Sequence, residues 1–210
     1  MRNRTGVLVV FVGMAAFSSA LSSVASAATD AVNASSVSPV LQVSVTVQKA
    51  IRLTLSTGTS GTTCTVNSGS DYSMNFGSVD ALGINTPCGA KFDPADPGTS
   101  PSAYYTDYRV TPVFTNQNGT SATVTAYVSA NFATLSNVLS IVQASSTPGT
   151  ISALTAMSTT PGSPTSVGTG LASGTAVTRY VGVHVQPTNS SNATVSGSDS
   201  ASITYTLTVP

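Results

Sequence analysis

Apolar residues in this chain recur at every second position, and that period fixes what it can become. Leu41, Val43, Val45, Val47, Ile51, Leu53 and Leu55 fall on odd numbers, while Gln42, Ser44, Thr46, Gln48, Arg52 and Thr54 fall on even ones. This is the pattern of strands with one buried face and one solvated face. Lys49 breaks the series, and strands typically run to about five or six residues, so residues 41–55 read as two strand segments joined by a bend near Lys49. The alternation returns in Tyr108, Val110 and Phe114, with Pro112 on the same parity predicting an edge strand or a bulge. Val124, Ala126, Val128, Ala130 and Phe132 form another set; residues 138–144 fit a strand; Val177, Val181, Val183 and Val185 align around Arg179; and Ala201, Ile203, Tyr205, Leu207 and Val209 close the series. Short strands rich in Val, Thr and Tyr, separated by Gly, Pro, Asn and Ser, predict an all-β antiparallel sandwich or barrel of about seven to nine strands.

Charge is scarce: 7% of residues are charged, against about a quarter in ordinary soluble domains. The 34 Ser and 32 Thr must solvate the surface instead. There is no Glu and no Trp, the only Lys are Lys49 and Lys91, and the net charge is zero. That balance excludes a nucleic-acid binder working through a basic face. Residues 1–27 read as a cleaved secretory signal peptide, with Arg2 and Arg4 ahead of a short apolar run and Ala25-Ser26-Ala27 as the small-x-small site. That run is shorter than the roughly 20 residues of a membrane-spanning helix, and Ser and Thr interrupt every later one, so no transmembrane segment is expected after cleavage. Residues 28–40 read as a flexible leader and 41–210 as one β-sandwich domain. The localisation expected is secreted: periplasm, cell surface or extracellular.

Cys64 and Cys88 survive cleavage, and an oxidising compartment makes a disulfide their natural state. A metal site is the weaker alternative, because two thiols without a nearby His fall short of four zinc ligands. Between strands, Asn118-Gly119 is a strong hairpin signal and predicts that the Tyr108 and Val124 strands pair. Residues 145–176 form a long Ser/Thr/Gly/Pro-rich loop in which only residues 151–157 look able to pack.

The sequence offers little chemistry. A serine hydrolase needs a His oriented by a carboxylate, yet the only histidine, His184, lies between Val183 and Val185 on the opposite parity and is expected to face solvent. Asp93-Pro94-Ala95-Asp96-Pro97-Gly98, with Asp107, is the best acidic cluster and offers oxygen ligands to a hard cation such as calcium. Its Asp-Pro and Pro-Gly steps form turns in their own right, and the turn is the reading adopted. No dinucleotide or phosphate-binding glycine motif is present. No catalytic residue, metal or cofactor is expected.

Several segments together resemble a known family. The alternating strand Leu41 to Val47, the run Cys64-Thr65-Val66, the motif Met74-Asn75-Phe76-Gly77-Ser78-Val79 and the closing strand Ile203 to Val209 resemble the spore coat protein U family, secreted domains related to chaperone-usher pilins. Cys88 stands closer to Phe76-Gly77 than the family's partner cysteine usually does. The resemblance implies an incomplete immunoglobulin-like sandwich, a role as a subunit of a fibre or coat, and delivery by a periplasmic chaperone and an usher.

Two functions follow as expectations. The first is a secreted structural surface protein that self-associates by strand pairing, with Leu41, Val43, Val45 and Val47 either as a strand donated to another subunit or as the domain's own first strand. The second is an extracellular binding module for carbohydrate or adhesion, for which Tyr104 and Tyr108, on one parity, are the candidate ligand face.

Overall fold

The computed structural model describes residues 43–46, 50–60, 64, 72–115, 121–187 and 196–210. In chain order the strands are β1 (Ile51–Thr57), β2 (Ala90–Phe92), β3 (Ser102–Phe114), β4 (Ala122–Ala130), β5 (Leu139–Ala144), β6 (Thr155–Ala156), β7 (Thr165–Leu171), β8 (Val177–Val185) and β9 (Ser202–Thr208), with one 3-10 turn at Ile151–Ala153. Among the described residues there is no α-helix, and every strand pair is antiparallel. The expected all-β antiparallel sandwich is what the chain forms.

The chain divides after Val47. Of the part before that division, residues 43–46 are described; they lie in no strand and are exposed. The expected pair of strand segments over 41–55 is therefore seen only in its second half, β1. Alternation assigns faces to a segment, but a strand exists only where a neighbour accepts its hydrogen bonds.

β1, β3, β8, β5 and β6 form the larger sheet in that order, and β2 also pairs with β3. β1 and β2 share one edge of β3 in succession: Thr57 pairs with Tyr108 at the end of β1, and Ala90 pairs with Tyr105 in β2. Pro112 sits in this long strand because β3 outruns its other neighbour. Pairing with β8 stops at Val110–Val177, so no ladder N–H is missed, and the Pro112 carbonyl instead accepts the Gly174 N–H at 2.8 Å. Gly182, at the middle of β8, has no room for a side chain: a Cβ there would lie 2.4 Å from the Tyr104 carbonyl oxygen.

The smaller sheet is β7-β4-β9, and it overturns the expected hairpin. β3 and β4 lie in different sheets, because both edges of β3 are already taken and β4 must cross to the other layer. The Asn118-Gly119 turn itself lies outside the described residues. The long loop expected over 145–176 contains β6 and β7 as well as the 3-10 turn. β7 escapes the period-2 reading because its pairing with β4 shifts register twice: Val167 and Leu171 are buried on one parity, but Thr169 between them is exposed and Gly168, on the other parity, is buried.

The sheets enclose a core of Tyr108, Val110, Val124, Ala126, Val128, Val167, Leu171 and Val181, with Met157 from the segment after β6. Burying one such side chain fully contributes about 1.5–3 kcal/mol. Arg179 also points inward, its Nε donating to the Val167 carbonyl and its Nη1 to the Thr178 carbonyl at 2.7 Å, so the guanidinium ties β8 to β7 across the core. A second cluster, Ala103, Val142, Ala144 and Leu154, covers the outer face of the larger sheet. The first half of β3 is thus buried on both faces.

Candidate functional site

Between the ends of β1 and β2, Thr106 and Asp107 have no strand partner on that edge of β3. Side chains take over the pairing. Thr106 Oγ1 accepts the Cys64 N–H at 3.0 Å. Asp107, 3% exposed, accepts the Thr59 N–H at 2.7 Å and the Ser60 N–H at 3.0 Å on one oxygen and the Ser60 hydroxyl on the other. Gly58 allows this approach, since a Cβ there would lie 2.2 Å from the Asp107 carboxyl carbon. Further along, Ser102 Oγ and Tyr104 Oη donate to the Asp80 carbonyl, the latter at 2.8 Å. Partial burial raises the Asp80 pKa, but N–H groups of Asn85, Ile84 and Leu82 aimed at the carboxylate outweigh it and hold it below the ordinary value. Cys64 and Cys88 are bridged, with Cα atoms 5.2 Å apart, and close the loop that this polar seam anchors. An open cleft of about 370 Å³, lined by residues 75–78 and 85–88, lies beside Cys88.

The aromatic face is the reverse of the one expected. Tyr104 and Tyr108 are 0% and 2% exposed and belong to the interior, so they offer no ligand surface. The Tyr108 hydroxyl lies 3.0 Å from that of Tyr205; burial raises the Tyr108 pKa well above the ordinary value and pushes Tyr205 up to about 12. The partly exposed aromatics have the other parity: Tyr105 stacks on Phe92 at 5.2 Å and meets Tyr180 edge-on at 6.4 Å. Parity alone could not choose between them, because β3 is buried on both faces here.

The groups considered for chemistry are dispersed. His184 is half-buried rather than solvent-facing; its Nε2 is covered without a hydrogen-bond partner, and burial lowers its pKa. Asp93 pairs with Lys91 at 3.2 Å. Asp96 closes a turn, accepting the Thr99 hydroxyl at 2.7 Å on its side chain and the Thr99 and Ser100 N–H groups on its carbonyl. Asp107 is spent on Thr59 and Ser60, just past the end of β1. Among the described residues, no group of three or more His, Cys, Asp or Glu could hold a metal ion, and no helix is long and apolar enough to cross a membrane.

The remaining feature is a pair of open edges. β1 and β9 each end their sheet, and among the described residues no strand pairs with the outer side of either. Leu53 and Leu55 of β1 and Ile203, Tyr205 and Leu207 of β9 pack on the shared core yet remain partly exposed. Tyr205 contacts Tyr108 edge-on at 6.0 Å, which brings β9 over β3, the neighbour of β1. Of the four residues expected to pair as a strand, Val43 and Val45 are 79% and 85% exposed, whereas Leu41 and Val47 lie outside the described residues.

Fold and site together define a two-sheet, all-β protein whose notable surfaces are strand edges. Comparison with known proteins adds no relative: no family model, curated protein or solved structure matches the chain.

Proposed function

We propose that this is a secreted, non-enzymatic structural surface protein, a coat-like or pilus-like subunit that assembles by β-strand pairing. The observation that carries the reading is the pair of open edges, with apolar side chains of the core left half-covered beneath them. An extended strand of alternating pattern is the natural cover for such an edge, supplying backbone hydrogen bonds along the ladder and apolar side chains at every second position. Residues 41–47 have that pattern, and Val43 and Val45 stand exposed. In the immunoglobulin-like scheme implied by the resemblance to the spore coat protein U family, this segment of one subunit completes the next, and a periplasmic chaperone and an usher deliver it. Size-exclusion chromatography tests the reading: the protein forms concentration-dependent polymers, and deleting residues 28–48 abolishes them. A deletion variant that polymerises like the parent refutes the donor role.

A binding module for carbohydrate or adhesion is the second reading, favoured by the partly exposed Phe92, Tyr105 and Tyr180. Stacking of Phe92 on Tyr105 occupies ring faces that a sugar would need. A glycan array with Tyr180→Ala as control decides it.

A further inference from the structure

We infer that β9 is a homotypic docking edge, on which a second copy of this chain pairs antiparallel along Ser202–Thr208 about a twofold axis at Tyr205. The inference rests on the structural, self-associating reading above and names the edge and the partner.

The argument starts from how sheet edges are protected. Unpaired edges invite further strands and are usually blunted by shortness, charge, proline or irregularity. β6 is two residues long and β2 three, the latter carrying Lys91. β7 contains Gly168 and Gly170 and shifts register twice against its neighbour. β1 carries Arg52. β9 has none of these devices: its seven residues, Ser-Ile-Thr-Tyr-Thr-Leu-Thr, hold no charge, proline or glycine. Its one register irregularity lies at its first residue, where Ser202 pairs with Ala130.

The strand also reads the same in both directions. Centred on Tyr205, Thr204 mirrors Thr206, Ile203 mirrors Leu207, and Ser202 mirrors Thr208. An antiparallel pair about a twofold axis places residue i opposite residue j and j opposite i. In this register each side chain meets its chemical equivalent: Ile203 meets Leu207 of the second copy, Thr204 meets Thr206, and the two Tyr205 face one another. Aliphatic and hydroxyl cross-strand pairs are the favourable ones. The half-covered Ile203, Tyr205 and Leu207 line one face, the exposed Thr204 and Thr206 the other. Pairing joins two copies of β7-β4-β9 into one continuous six-stranded sheet, doubling the observed three.

The test uses charges at Thr204 and Thr206, which are exposed and carry no part of the core. In Thr204→Lys/Thr206→Lys, each Lys faces a Lys of the second copy; in Thr204→Lys/Thr206→Asp, each Lys faces an Asp. Sedimentation equilibrium across protein concentrations, with denaturation midpoints as the folding control, should show the double-Lys variant dimerising about tenfold more weakly than the parent, about 1.4 kcal/mol. The Lys/Asp variant should recover the parent's affinity. A double-Lys variant that associates like the parent overturns β9 pairing while leaving the structural reading intact. A Lys/Asp variant as weak as double-Lys overturns the twofold register. A parent protein that stays monomeric at every concentration overturns both this inference and the reading beneath it.

Discussion

Replacing Asp107 by alanine measures what the polar seam contributes. The carboxylate is 3% exposed, and one of its oxygens accepts both the Thr59 and the Ser60 N–H, at 2.7 and 3.0 Å. Alanine removes the acceptor from two amides on exposed residues, Thr59 and Ser60, whose bonds are only part-buried, so water partly replaces it and each costs about 1 kcal/mol, the low end for an orphaned donor. The Ser60 hydroxyl can turn elsewhere, so the expected loss is about 2 kcal/mol, a sizeable share of the roughly 5–15 kcal/mol of a whole domain. For a chain of this size that corresponds to about 4–8 °C in Tm. Asparagine is the informative control: its carbonyl can take the place of the shared oxygen and accept both amides, while its NH2 donates to Ser60 Oγ. Only the charge assistance disappears, and the expected loss is about 1 kcal/mol. Urea titrations at constant m-value give both numbers. An alanine variant within about 1 kcal/mol of the parent, or an asparagine variant as damaged as alanine, refutes the claim that side-chain acceptance replaces strand pairing at this gap.

Two further outcomes follow from the same structure. Opening the Cys64–Cys88 bridge, by reductant or by Cys64→Ser/Cys88→Ser, frees a loop spanning a sequence separation of 24 and should cost about 3–4 kcal/mol by chain entropy; unchanged urea midpoints with and without reductant would count against it. The Tyr205 hydroxyl gives a pH signature: an unfolded tyrosine ionises near pH 10, whereas in the fold burial pushes it up to about 12. Below pH 10 both states are protonated and the group is silent; from 10 to about 12 the unfolded chain sheds a proton that the fold retains, so stability falls as pH rises. Denaturation midpoints across that range should decline, less steeply in Tyr205→Phe, and a flat profile would contradict the burial argument.

Much of the fold was legible because alternation survives wherever a strand has one wet face. β1, β4 and β9 show it plainly, and β8 shows it around Arg179. It vanishes in residues 102–107, where cover on both faces removes the polar half of the pattern and turned the tyrosine face inside out. β7 was hidden by its register shifts. The layer to which each strand belongs is a long-range matter, since Asn118-Gly119 signals a reversal of direction but not the sheet in which the next strand lands. Asp107 drew notice only as a cation ligand, because a carboxylate that substitutes for a missing strand has no local signature. The β9 edge was visible as a strand, but its lack of protection emerged only once the other edges could be compared with it.

β9 pairs with β4, joining Thr123 to Thr208, two segments far apart in the chain. Until β9 docks, β4 has one edge bare and its inward valines under-covered, so the smaller sheet cannot close before these distant segments meet. Pairings this distant in sequence close slowly, and unpaired edges are aggregation-prone while they wait. The folding chain is therefore most vulnerable in the interval before β9 reaches β4, and that interval is set by the long-range closure rather than by any local step.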